Sequence, residues 1–388
     1  MSAKQKQRPS TWPGTYVMLV ATIAVLNVVG VVMVLSASSV LSIESHGSAW
    51  YTFMRQLAWT LLGVIGFAVA QRVDYRSWRR VVEPFVFISG LLLVVVLVPH
   101  VGLEVGGARR WLGVGAWSVQ PSELAKLALV VFAAEVLTRR EDELDDWRRA
   151  LRPVLLVLVA FAALVCFEPD FDSALLLGII VGAVLLVGGI RIAHLATVGS
   201  VGAAAATVFA LSSGYRRERL LSFLHPAADA ANTGYQAIQS SIAIGSGGID
   251  GVGLGAGRAK WLFLPNAHTD FIFAVIGEEL GLIGTMTVLG LFLAFIVLGT
   301  RAAFRAPDRF GMLLAAGITA WIGAQALLNI GGVIGLLPAS SVPLPFVSFG
   351  GSALVVSMIA AGVLANVAKH SIDPLSGRAR SSVATAKR

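Results

Sequence analysis

The chain has 388 residues, of which 56% are hydrophobic and 13% charged, and its formal net charge is +8. That balance, with apolar runs that repeatedly reach spanning length, places it among polytopic helical membrane proteins. Continuous runs such as 91–98 and 174–187 exclude a membrane barrel, which needs alternating apolar and polar residues, and basic residues scattered between the runs give no nucleic-acid patch.

The N-terminal tail is basic, and the apolar segment behind it is too long for a signal-peptide core and lacks a small-residue cleavage site, so it reads as a retained first span. The spans expected are 15–38, 53–71, 82–99, 121–138, 151–168, 171–189, 192–212, 270–299, 310–337 and 350–369, about ten transmembrane helices in an all-α polytopic membrane protein. With the tail inside, 21 of the 30 Lys and Arg lie on the cytoplasmic side, eight outside and Lys126 within a span. That bias sets both termini in the cytoplasm. The expected organisation is a tail over 1–14, a single ten-helix membrane domain over 15–369, and a disordered basic tail over 370–388. One large extracytoplasmic loop, 213–269, separates helices seven and eight. The lone Cys166 lies in an apolar run and says nothing about redox compartment. No duplication between the halves is visible, which counts against an inverted-repeat transporter.

Residues 106–126, GGARRWLGVGAWSVQPSELAK, form an outer loop entering the fourth span, with Pro121, Ser122 and Glu123 as helix-start chemistry. Lys126 follows one turn inside, where a lysine either snorkels outward or pairs with a buried carboxylate or a substrate phosphate. Trp111 and Trp117 suit interfacial anchoring. The segment 139–152 has mixed charge and reads as a solvated helix end. Glu168 and Asp170, in FEPDFDSA, either bind a divalent cation or simply cap a turn.

The large loop holds Arg216, Arg258 and Lys260, cations that suit a phosphate or pyrophosphate head group. Its glycine run 245–257, GSGGIDGVGLGAG, lacks both phosphate-loop contexts, and instead lets the loop fold closely over the membrane mouth. Residues 261–282, WLFLPNAHTDFIFAVIGEELGL, then deliver one carboxylate, Asp270, to the start of a long apolar helix, directly after His268 and Thr269. An acid at that boundary is costly to desolvate and a candidate for function, although helix capping alone would also place it there. Glu278 and Glu279 fall about two and a half turns deeper, where at least one needs a polar partner. The Pro/Gly segment 338–352 cannot be regular helix and forms another wall of the outward cavity.

Taken together, GGARRWL…VQPSELAK, EPDF, RRERLLSFLHP, GYQAIQSS, GVGLG, LPNAHTDFIFAVIGEELG, and GLLP followed by PLPFVSFGGSAL resemble the SEDS family (shape, elongation, division and sporulation proteins), its division branch more than its elongation branch. The resemblance implies a peptidoglycan glycosyltransferase of the cytoplasmic membrane, enriched at the division septum. It would polymerise lipid II at the outer face beside a class B penicillin-binding protein and other division proteins. Asp270 matches the family's catalytic acid; Trp111 and Lys126 match functionally important positions. Ser118 and Asp172 depart from the family pattern, the former where some relatives carry Arg.

The expected chemistry is attack of a sugar hydroxyl on a lipid-linked anomeric carbon, with Asp270 accepting the proton. Trp111, Arg110, Lys126, Arg216, Arg258, Lys260, His268 and Glu278 are assigned to substrate. No resident metal site is expected, although a divalent cation, Mg or Mn, would suit the departing pyrophosphate. A lipid II flippase and a non-catalytic scaffold for the transpeptidase are the rival readings.

Overall fold

The computed structural model describes residues 14–105, 107–114, 117–144, 147–211, 217, 223, 226 and 234–371. Residues 1–13 of the expected N-terminal tail, 372–388 of the expected C-terminal tail, and Arg216 lie outside these residues. Helices fill the described chain in the order α1 (Gly14–His46), α2 (Tyr51–Ala70), α3 (Val82–Leu97), α4 (Pro121–Arg139), α5 (Trp147–Phe167), α6 (Phe171–Val187), α7 (Ile192–Leu211), α8 (Tyr235–Gly247), α9 (Ile272–Phe304), α10 (Arg309–Val333) and α11 (Gly351–Lys369). Each expected span coincides with one of them. Six, namely α1, α2, α7, α9, α10 and α11, are long and apolar enough to cross a membrane; α3, α5 and α6 are shorter apolar helices.

Two elements depart from the expectation of ten helices joined by loops. The 103–119 loop is a three-stranded antiparallel sheet, β1 (Leu103–Val105), β2 (Ala108–Val114) and β3 (Trp117–Val119), in the order β1-β2-β3. Its strands are short and broken by glycines, so they carry too little alternation to be seen between apolar spans. The other is α8, a helix within the large loop.

The bundle is built around α4, α10 and α11, each buried on nearly every side. Lipid-embedded helices gain little from water exclusion and associate through close packing, which small residues allow. A Cβ on Gly362 of α11 would stand 2.7 Å from the Phe67 carbonyl of α2, so these two helices touch backbone to backbone. Central burial also explains why α4 carries Glu123, Lys126 and Glu135 inside the protein, with partners, while its apolar face is unremarkable.

Polar groups gather at the two ends of the bundle. At one end Arg79 and Arg139 pair with Glu135, and Tyr75 and Arg76 hold Asp308. The buried hydroxyl of Tyr75 donates to Asp308 at 2.5 Å. At the other end lie the sheet, the 168–172 turn, the 338–350 loop and the loop that precedes α9.

Helix α9 is not continuous. Gly281 has φ 64° and ψ −159°, a conformation open essentially to glycine alone. The carbonyls of Glu278 and Glu279, which lose their helical partners there, accept instead from the N–H groups of Val252 and Gly253 at 2.9 and 3.1 Å. In return, the N–H groups of Leu282 and Ile283 donate to Gly248 and Ile249 at 2.9 and 3.3 Å. The glycine run thus inserts into the break and satisfies its backbone, the condition for any irregular backbone at membrane depth. We expect Gly281→Ala to cost roughly 1–3 kcal/mol from backbone conformation alone. Overlap adds to this, since a Cβ would meet Gly251 N and Ile249 O at 2.4 Å. A lowered thermal midpoint with faster proteolysis across 248–255 would register it.

Candidate active site

Asp270 sits half-buried where the loop meets α9. The N-cap position belongs to Phe271, which makes no side-chain cap bond, and the Thr269 hydroxyl donates to Asn266 O instead. The N-cap position thus falls one residue after the Thr-Asp pair that a purely structural reading names. The main chain around the acid is held from three directions. His268 O accepts from Phe349 N at 3.0 Å, Thr269 O from Ser348 Oγ at 2.5 Å, and Asp270 O from Asn329 Nδ2 at 2.8 Å. Three consecutive carbonyls are fixed by α10 and the 338–350 loop, so the carboxylate projects from a backbone with little freedom.

Asn329 holds this junction together and was not singled out in the sequence. Its amide nitrogen bridges Asp270 O and Val342 O, joining the two loops that face each other. The only signal was an amide, one of two with Gln325, inside the apolar run of α10.

Lys126 does not snorkel. It is fully buried, with Nζ 2.8 Å from Glu123 Oε1 and 3.0 Å from Gln325 Oε1, over the Trp321 ring. Gln325 also accepts from Trp321 Nε1 and donates to Pro343 O at 2.9 Å. Lys126 therefore stiffens the loop that holds Asp270, and its charge is spent on a protein carboxylate, not presented outward as a phosphate ligand.

Lys260 is likewise interior, with Nζ 2.9 Å from Glu279 Oε1 and 2.5 Å from Gly255 O. Glu278 accepts from the N–H groups of Arg258 at 2.7 Å and Ala259 at 3.0 Å. Both glutamates of α9 thus meet polar partners, and both are used to clamp the 255–260 segment onto the broken helix. Neither Lys260 nor Glu278 faces outward as a substrate-binding group would. The Arg258 side chain, by contrast, is exposed.

On β2, Arg110 and Trp111 are half-buried. Arg110 donates to Glu168 O at 3.1 Å and to Pro169 O, tying the sheet to the α5–α6 turn. Asp172, one of the two departures from the family pattern, accepts from Ser341 N at 2.7 Å and so binds α6 to the 338–350 loop. Burial pushes the His268 imidazole down to about 4, so it is neutral at neutral pH and supplies no positive charge to a phosphate.

Among the described residues, no three His, Cys, Asp or Glu side chains converge to hold a metal ion. Asp170 is occupied by Ser173 and Gln120. Both carboxyl oxygens of Glu168 are buried without a hydrogen-bond partner. Burial first, and the neighbouring Asp170 second, push this carboxyl up to about 8. It is protonated in the folded chain at neutral pH, whereas an unfolded chain would release the proton in the ordinary glutamate range. Stability is therefore lost as pH climbs from that range through 8. Glu168→Gln should match the parent at pH 5 and melt at a higher temperature above pH 8; parallel melting curves across that interval would contradict the assignment.

Fold and site together define a multi-pass helical membrane protein that presents one acid from a rigidly held loop–helix junction. The chain belongs to the FtsW–RodA–SpoVE family of cell cycle proteins, whose family model matches residues 16–373. It is 42% identical over 374 residues to the probable peptidoglycan glycosyltransferase FtsW of Mycobacterium tuberculosis, covering 95% of this chain and 71% of that one. Stage V sporulation protein E of Bacillus subtilis is 40% identical over 355 residues, covering 91% and 97% of the two chains. Among solved structures, a chain from a peptidoglycan synthase complex that coordinates polymerisation and crosslinking superposes with a TM-score of 0.75 at 29% identity, over 92% of this chain and 98% of that one. The rod shape determining protein RodA of Thermus thermophilus gives 0.68 at 27% identity, over 92% and 97%.

Proposed function

We propose that this protein is a peptidoglycan glycosyltransferase that polymerises lipid II at the outer face of the cytoplasmic membrane, in septal synthesis. The observation that carries the reading is the fixing of three successive carbonyls around Asp270, which holds one carboxylate in a set position at the loop–helix junction. The naming of relatives at about 40% identity over most of the chain as probable peptidoglycan glycosyltransferases supports the reaction class. The excess of Lys and Arg on the side opposite Asp270 supports ten crossings with both termini inside and an outward-facing acid.

In this reaction a sugar hydroxyl attacks the anomeric carbon of a lipid-linked sugar. The new glycosidic bond forms as the carbon–oxygen bond to the polyprenyl pyrophosphate breaks. The hydroxyl proton passes to the Asp270 carboxylate, and the pyrophosphate carries away the bonding electrons. A positioned base is the contribution a preorganised loop can make, because correct orientation replaces much of the entropy a free base would lose. Of the cations nominated for the pyrophosphate and described in the structure, Arg258 has the exposed side chain. Arg110, Lys126 and Lys260 position the walls.

The partner expected is a class B penicillin-binding protein, by analogy with the synthase complex that this fold matches. Purified protein given labelled lipid II, with and without that partner, should yield glycan strands separable by length. Absence of polymer under both conditions would overturn the reading. The break in α9 favours one rival, a lipid flippase, since transporters build sites from discontinuous helices; it would move lipid II between leaflets of a vesicle without forming polymer.

A further inference from the structure

A cleft that the proposed reaction does not use opens between the α1–α2 connection, α2 and β3. Its cavity is about 440 Å³, within the range of small-ligand sites, and is lined by Trp50, Tyr51, Arg55, Trp59 and Trp117 with a few smaller neighbours.

The walls are set. Tyr51 stacks on His46 with ring centroids 3.7 Å apart, and buried Trp59 meets Trp117 edge-on at 4.7 Å. Trp50 and Trp117 are 55% and 51% exposed, so broad indole faces remain available to a ligand. The cleft also leads toward the acid. Arg55 lies between the rings of Tyr51 and Phe349, 5.9 and 5.7 Å from their centroids. Phe349 in turn packs on the His268 ring at 5.6 Å and holds the His268 carbonyl, two residues before Asp270.

Flat, amphipathic rings suit the apolar faces of pyranose sugars while leaving the sugar hydroxyls wet. A guanidinium beside them suits a carboxylate. A purely lipid-facing belt of tryptophans needs neither a cavity nor a cation within it. Resting on the glycosyltransferase reading, we propose that this cleft is a saccharide subsite that holds the glycan strand next to Asp270: the indole faces of Trp50 and Trp117 and the Tyr51 ring stack on its sugars, and Arg55 engages a carboxylate on the lactyl or peptide arm.

The test is direct binding of a lipid-free tetrasaccharide of alternating N-acetylglucosamine and N-acetylmuramic acid to the detergent-purified full chain, read by calorimetry. Trp50→Ala and Trp117→Ala should each weaken binding by about tenfold or more, equivalent to about 1.4 kcal/mol. Trp50→Tyr should restore most of it. Trp50→Leu, which keeps apolar volume without a flat face, should bind like Trp50→Ala. Phe304→Ala, on an exposed residue at the far end of α9, serves as the unaffected control. Equal affinity across all variants, or no binding by the parent, would overturn the proposal. So would loss of farnesyl phosphate binding with tetrasaccharide binding intact, since the cleft would then be a lipid site. Running the titration also in Asp270→Asn protein separates the two readings, because saccharide binding survives there even if no polymer is ever made.

Discussion

Asp270→Asn should lower glycan synthesis from lipid II by roughly 10²–10⁴-fold, the range typical of a positioned general base. The substitution keeps side-chain size and leaves the loop's anchoring intact, because Ser348, Asn329 and Phe349 all bond main-chain groups of 268–270 and not the carboxylate. Lipid II binding and the thermal midpoint should therefore stay close to those of the parent. Asp270→Glu is the sharper variant. It retains the base but advances the carboxylate by one methylene from a backbone that cannot retreat, and a displacement of about 1 Å at a reacting group can cost 10²-fold. A protein in which Glu restored full polymerisation would have a looser junction than the three carbonyl bonds describe. Equal glycan yield from parent and Asp270→Asn in a single-turnover assay would remove the proposed base altogether.

What the sequence revealed and what it hid divides along physical lines. The helices were legible, one overlapping each expected span, because unbroken apolar length is a strong signal that needs no tertiary context. Helix ends were less so: α1 continues to His46 through a polar, serine-rich stretch, where Ser45 bonds back to the Leu41 carbonyl and keeps the turn. Asp270 stood out because it is a lone acid before an apolar run. The roles of Lys126 and Lys260 did not, because a cation near a membrane surface looks the same in sequence whether its partner is a substrate phosphate or a carboxylate elsewhere in the chain. In fact Lys126 found Glu123, a single turn back on its own helix, and Lys260 found Glu279 across the glycine run. The break at Gly281 was equally hidden, since its bonds come from residues 248–253 and only the fold brings these alongside.

Lys260→Met should be the most destabilising single change at this end of the bundle. Lys260 and Glu279 are 4% and 0% exposed at their side chains, so both charges have lost their water. Glu279 recovers through Lys260 Nζ at 2.9 Å, Ser36 Oγ at 2.7 Å and Gly255 N at 3.1 Å. Removing the lysine leaves a buried carboxylate whose remaining partners are neutral, a defect that costs about 3–5 kcal/mol when one half of a buried pair is lost. Glu279→Leu alone strands the ammonium and should be comparably harmful. The double variant Lys260→Met with Glu279→Leu removes both desolvated charges at once and should recover much of the loss, so the two effects are strongly non-additive. Thermal unfolding midpoints of the four proteins measure that coupling; a sum of two small, independent shifts would mean the pair is solvated. Because the same pair fastens 255–260 to the half-helix that begins two residues after Asp270, polymerisation should fall with Lys260→Met. It should also return less completely than stability in the double variant, since apolar contact restores packing but not the bond to the Gly255 carbonyl that sets the loop's path.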